Sequence, residues 1–125
     1  MAVALLNSKY SLIWSDSTVL KNVELRQQLE KLSQNVRVFE DEQQCAHFIQ
    51  SKSKSDRLIL ITNGRLGENF IPKIHFLQQI LSIYVYCRHQ QIHQQWAKRF
   101  TKIKGVVVDF TDLLHRIRID HVEFE

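Results

Sequence analysis

Short apolar runs alternate with longer stretches whose apolar residues return every three or four positions, and the alternation repeats five times along 125 residues. Tyr10-Ser11-Leu12-Ile13-Trp14 predicts a first strand, and Ser15-Asp16-Ser17-Thr18 a loop in which Asp16 or Ser17 caps a helix. From Val19, the apolar residues Val19, Leu20, Val23, Leu25, Leu29 and Leu32 recur at helical spacing, and Asn35 is expected to close that helix. Val36–Phe39 is short and β-branched, a second strand. Glu40-Asp41-Glu42 places acidic groups where a helix N-terminus favours them, ahead of a helix burying Cys45, Phe48 and Ile49. Ser51–Ser55 is a polar connector. Leu58–Ile61, uninterrupted and apolar, predicts a strand buried on both faces. It runs into a polar turn, Thr62–Gly67, that holds two of the three glycines. Phe70, Ile71, Ile74, Leu77 and Leu81 form the next helical stripe, with Pro72 tolerable near a first turn. Ser82–Cys87 is a fourth strand and His89–Phe100 a helix with Ile92, Trp96 and Phe100 on one stripe. Gly105 opens a fifth strand over Val106–Val108. Thr111-Asp112 caps a last helix through Leu113, Leu114, Ile117 and Ile119, and His121–Glu125 reads as a polar tail.

Strand–helix alternation of this kind demands right-handed crossovers and a parallel sheet covered on both faces. The expected fold is α/β, a flavodoxin-like three-layer sandwich with a five-stranded parallel sheet of order 2-1-3-4-5. Leu58–Ile61 should be its central strand. The length suits a single domain spanning 1–125 with a core over about residues 10–120.

Composition is that of an ordinary globular protein, with 44% hydrophobic and 24% charged residues. The apolar opening Met1–Leu6 is too short for a signal-peptide core or a membrane span. Cys45 and Cys87 sit in no disulfide framework. A cytoplasmic setting without membrane contact is the expectation. The net charge of +4 is unevenly placed: residues 51–104 hold ten Lys/Arg against Asp56 and Glu68. That segment is either a solvated face or a surface for phosphates or an acidic partner. Nucleic acid is not the expected partner, because Trp96 and Phe100 fall on an apolar stripe rather than among the basic residues as stacking platforms.

Ligands of open α/β sheets bind beyond the carboxyl ends of the strands. The candidate site is therefore an anion or nucleotide site formed by Ser15, Asp16, Ser17, Thr18, Thr62, Asn63, Gly64, Arg65 and Gly67. The second loop offers amides, a hydroxyl and a guanidinium at a helix N-terminus. It lacks both the Gly-Lys-Ser/Thr ending of a phosphate loop and the G-x-G-x-x-G spacing. The alternative is that Gly64 supplies a positive φ and Gly67 helps the chain enter the helix. Ser15, Ser17 and Thr18 sit where flavodoxins hold a flavin phosphate, but without a glycine.

Receiver domains share the expected topology. Their phosphorylation needs acids after the first strand, an acceptor aspartate ending the third, a small hydroxyl residue ending the fourth and a lysine ending the fifth. Here only Asp16 follows the first strand, the acceptor position falls near Thr62 or Asn63, the fourth strand ends in Cys87 and the fifth in Asp109. TIR domains also alternate five strands and helices, and NAD-cleaving members place a glutamate in the helix after the third strand. Glu68 is the acid available there, and at a helix start it would complement the dipole. Cys87-x-His89-x-x-x-His93 puts two histidines on one helix face but supplies no fourth zinc ligand. No nucleophile elbow occurs. No catalytic residue, metal or cofactor is expected.

Ile13-Trp14-Ser15-Asp16, Phe39-Glu40-Asp41, Asp56-Arg57, Gly64-Arg65-Leu66-Gly67, Ile83–Cys87, Gln95-Trp96-Ala97-Lys98 and Lys104-Gly105-Val106 together resemble a receiver-like, TIR-like α/β module of multidomain invertebrate proteins, notably those of bdelloid rotifers. The resemblance implies an N-terminal module standing before tetratricopeptide repeats or a mono-ADP-ribosyltransferase domain. The resulting expectation is a non-catalytic interaction, sensing or regulatory module of a signalling-type protein, with a protein or another domain of the same chain as partner. The alternative is a binder or hydrolase of a nucleotide or NAD-type ligand.

Overall fold

The computed structural model describes residues 6, 9–17 and 22–121. Within them the chain runs β1 (Tyr10–Ser15), α1 (Val23–Leu32), β2 (Val36–Phe39), α2 (Glu42–Ser51), β3 (Arg57–Asn63), α3 (Gly64–Ile74), β4 (Ile80–Tyr86), α4 (Gln90–Ala97), β5 (Ile103–Val107) and α5 (Phe110–His121). All pairings are parallel, and the order is β2-β1-β3-β4-β5. This is the flavodoxin-like arrangement expected from the alternation, with β3 at its centre.

The unbroken apolar run of β3 follows from burial on both sides. Leu58 and Leu60 join Cys45 and Ile49 of α2, Phe70, Ile71 and Ile74 of α3 and Trp96 of α4 in one core. Ile59 and Ile61 point the other way, toward Leu29 and Leu32 of α1 and Leu113 and Ile117 of α5. Successive strand residues face opposite sides, so a strand between two helical layers needs apolar side chains throughout. Asp41 caps α2 through a 2.7 Å bond from the Gln43 amide to its carboxylate.

Several predicted boundaries move. Gly64–Gly67 is not a loop but the first turn of α3, because Asn63 caps the helix directly at the strand end, its side-chain oxygen accepting from the Leu66 amide at 2.7 Å. No glycine has a positive φ, so neither Gly64 nor Gly67 serves a left-handed turn. Pro72 lies in the last turn of α3, not the first. It lacks the amide that would bond back to Glu68, and the helix stops two residues later. Leu77 therefore packs from the following turn, and Leu81 belongs to β4, half-exposed. Ser33 rather than Asn35 ends α1. The carbonyl of Asn35 already accepts from Leu12 as the chain joins the sheet. The start of α1 expected at Val19 and Leu20 lies outside the described residues; the helix is described from Val23, with Asn22 as its cap residue.

Near the C-terminus, Asp109 caps α5 by accepting from the Thr111 amide at 3.0 Å, so Thr111 and Asp112 are in the first turn instead. Ile92 on α4 and Ile119 on α5 point into solvent, off the predicted stripes. Val108 falls just beyond β5 and is half-exposed. His121 is not part of a tail: it ends α5, buried, with its Nε2 2.8 Å from the Ser82 hydroxyl. Beside it, the Tyr84 hydroxyl donates to Asp120 at 2.6 Å. Residues 122–125 lie outside the described residues.

The outer edge of β5 is blunted. Gln90 donates to the Val106 carbonyl at 2.8 Å and Arg116 donates to the Lys104 carbonyl. Acceptors that would pair with another strand are thus already occupied.

Candidate functional site

At the carboxyl ends of the strands the chain leaves β1 for α1 on one side of the sheet and β3 for α3 on the other. That divergence is the topological switch point of a doubly wound sheet. A cleft of about 540 Å³ lies there, lined by Asp16 and Ser17 after β1, Asn63, Gly64 and Arg65 around the start of α3, Cys87, Arg88, His89 and His93 around the start of α4, and Val108 after β5. Trp14, Asn22 and Tyr86 complete its wall.

The structure divides the predicted site residues. Asp16, Ser17, Asn63, Gly64 and Arg65 line the cleft. Thr18 lies outside the described residues. Ser15 is buried, and its hydroxyl bonds the Cys45 thiol beneath the sheet's end. Thr62 is fully buried; as the residue before the end of β3 it points into the layer holding Gly67. A Cβ on Gly67 would lie 3.0 Å from the Thr62 methyl and 3.5 Å from Trp96. Gly67 is therefore a packing glycine that does not line the cleft.

Gly64 has a different role. A Cβ there would overlap the imidazole of His93, so the missing side chain lets α4 bring that ring over the start of α3. Trp96 fixes the ring: its indole N–H donates to His93 Nδ1 at 3.0 Å, with the ring planes 81° apart. An indole nitrogen can only donate, so in the neutral ring Nδ1 is the acceptor and the proton sits on Nε2.

Sequence reasoning missed Arg88, Tyr86 and Val108 as site residues, and took His89 and His93 as part of a polar face after weighing them as a metal pair. The signal was available, because Arg88 and His89 follow the fourth strand just as Gly64 and Arg65 follow the third. The rule that picked out Thr62–Gly67 applies to every strand end, not to the glycine-bearing one alone. Cys87, His89 and His93 do share the cleft, yet among the described residues no three His, Cys, Asp or Glu side chains are grouped to hold a metal. Burial pushes the Cys87 thiol up, partly offset by the His89 backbone amide. Burial and the nearby Glu42 push Cys45 up to about 12 against the bond from Ser15. Neither cysteine is set up as a thiolate nucleophile. Glu68 lies in the second turn of α3, exposed and outside the cleft. It is therefore neither a first-turn dipole partner nor a residue of the site.

Asp16 follows β1 as an acid should in a receiver, but the described residues at the other three positions carry other chemistry. Asn63 stands at the end of β3, and its side chain is engaged as a helix cap. An amide offers no carboxylate oxygen to accept a phosphoryl group. Cys87 follows β4. After β5, Val108 reaches the cleft, whereas Asp109 turns to cap α5. The fifth strand thus brings an apolar group to the cleft, neither a cation nor the repelling carboxylate expected from the sequence.

No protein-family model matches the chain, and no curated protein matches its sequence. Its structure is similar to the crystal structure of a response regulator receiver protein from Dyadobacter fermentans. The TM-score is 0.72 at 15% identity, over 88% of this chain and 96% of that one. The fold is receiver-like.

Proposed function

We propose that this chain is a regulatory module that uses a receiver-like fold without phosphoryl transfer, acting through interaction with a protein or another domain. The observation that carries this reading is Asn63. The residue at the acceptor position is an amide whose oxygen is committed to the Leu66 amide, in a cleft with a single carboxylate, Asp16. A divalent cation in a site of this kind wants several oxygen ligands, carboxylates above all, and one carboxylate beside two guanidinium groups does not provide them. The resemblance to modules that precede tetratricopeptide repeats or a mono-ADP-ribosyltransferase domain supports the same reading. On that view any catalysis belongs to neighbouring domains, and the setting is cytoplasmic.

Magnesium titration tests this reading. Trp14 forms part of the cleft wall, so its fluorescence reports occupancy. The expected result is no saturable change in emission or in Tm as Mg²⁺ rises through the millimolar range used by receiver sites. A saturable response removed by Asp16→Asn would overturn the proposal.

A further inference from the structure

We infer that the cleft at the switch point is a binding site for a phosphomonoester of nucleotide size, held by Arg65 and Arg88. This rests on the reading of the cleft as freed from phosphoryl transfer and names the ligand that it takes. Arg65 comes from the first turn of α3 and Arg88 from the turn before α4, so two separate elements bring an arginine to one cavity. Both side chains are exposed, and among the described residues neither makes a hydrogen bond or an ion pair. Two unpaired arginines bordering one cleft are suited to a bound dianion. Arg is the side chain suited to bidentate recognition of phosphate.

The rest of the lining agrees with this. His93, held by Trp96 against Gly64, adds a polar ring to the lining. α4 begins at His89 with no side-chain cap, as α1 does at Asn22, and both residues belong to or border the cleft. The first-turn amides of α4 receive no side-chain cap from His89. Two guanidinium groups match the two charges of a single phosphate better than the higher charge of a polyphosphate chain. The volume falls within the roughly 300–1,000 Å³ of small-molecule sites, larger than orthophosphate needs.

The test is isothermal titration of the intact chain with AMP, ribose 5-phosphate, inorganic phosphate and adenosine, at low and high salt. AMP and ribose 5-phosphate should bind, more weakly as salt rises, and adenosine should not. Arg65→Ala or Arg88→Ala should weaken binding about ten-fold, and the double variant about 100-fold, each guanidinium supplying charge-assisted hydrogen bonds. Arg99→Ala, outside the cleft, should leave affinity unchanged. The site is overturned if neither ester binds, if adenosine binds as well as AMP, or if the double variant keeps wild-type affinity. Its assignment to an ester is overturned if inorganic phosphate binds as tightly as both esters. Any of these results alongside insensitivity to Mg²⁺ leaves the module's proposed function standing, whereas a Mg²⁺ response removes that function whatever the titration gives.

Discussion

Phe70→Ala is expected to cost about 3–5 kcal/mol of stability, and Phe76→Ala, six residues on, less than about 0.5 kcal/mol. Phe70 is 1% exposed on α3, packed with Leu60 of β3 and Ile83 of β4 in the core that α2, α3 and α4 share. Phe76 lies beyond the helix and is 67% exposed. Removing the buried ring forfeits its transfer free energy and leaves a cavity where α3 rests on the central strands. Domains of this size have about 5–15 kcal/mol in total, so the variant should melt at a clearly lower denaturant concentration. Urea denaturation of the two variants side by side checks this. Equal losses would mean that α3 does not dock on the sheet as described.

The second large effect concerns the polar cluster under the opposite face. His121→Ala should cost about 2–4 kcal/mol, through the lost ring and its lost hydrogen bond with the buried Ser82 hydroxyl. The ring lies 5.4 Å from that of Tyr10 and 6.3 Å from that of Tyr84. The Tyr84 hydroxyl is held protonated by burial and by the Asp120 carboxylate it donates to. Burial lowers the proton affinity of His121 below its ordinary 6.5, Asp120 opposes this and Lys104 reinforces it. The unfolded chain therefore takes up a proton near pH 6.5 that the folded chain refuses until lower pH. The stability tied to neutral His121 is complete above pH 6.5 and is lost as pH falls through the folded value. Its slope cannot exceed about 1.4 kcal/mol per pH unit. Denaturation curves from neutral pH down into the acid range should show this component in the wild type and its absence in His121→Ala. Identical pH dependence in both would remove His121 as the source.

The architecture was legible because a doubly wound sheet imposes patterns that a sequence cannot disguise. Leu58–Ile61 has no polar face since it has no solvent face, and Cys45 and Ile49 fall one helical turn apart because one side of α2 meets the sheet. Element ends were less legible, being decided by single side-chain hydrogen bonds. Asn63 turns an apparent loop into the first turn of a helix, and Asp109 does for α5 what Thr111 was expected to do. Two residues looked ordinary for tertiary reasons: His121 reads as a polar tail residue until Ser82, 39 positions away, meets it. Gly64 reads as a turn glycine until the ring of His93 is seen over it.

The cleft was half legible. The rule that ligands gather beyond the strand ends picked out Asp16, Ser17, Asn63, Gly64 and Arg65, all of which line it. The same rule also picked Ser15 and Thr62, strand residues that face the core, and Gly67 of α3, which packs against Thr62 and Trp96; none of the three lines the cleft. Arg88 escaped notice as one basic residue among many in a basic segment. Only the turn after β4, brought beside α3 by the parallel pairing of β3 and β4, makes it a partner of Arg65.

A receiver-like fold with Asn63 at the acceptor position is proposed to carry no phosphoryl-transfer chemistry. Incubation of the chain with acetyl phosphate and Mg²⁺, followed by intact mass measurement under denaturing conditions, tests this, since only a covalent adduct survives. The unmodified mass is expected throughout. A phosphoryl adduct localised to the residues around Asp16 and Asn63 would contradict it.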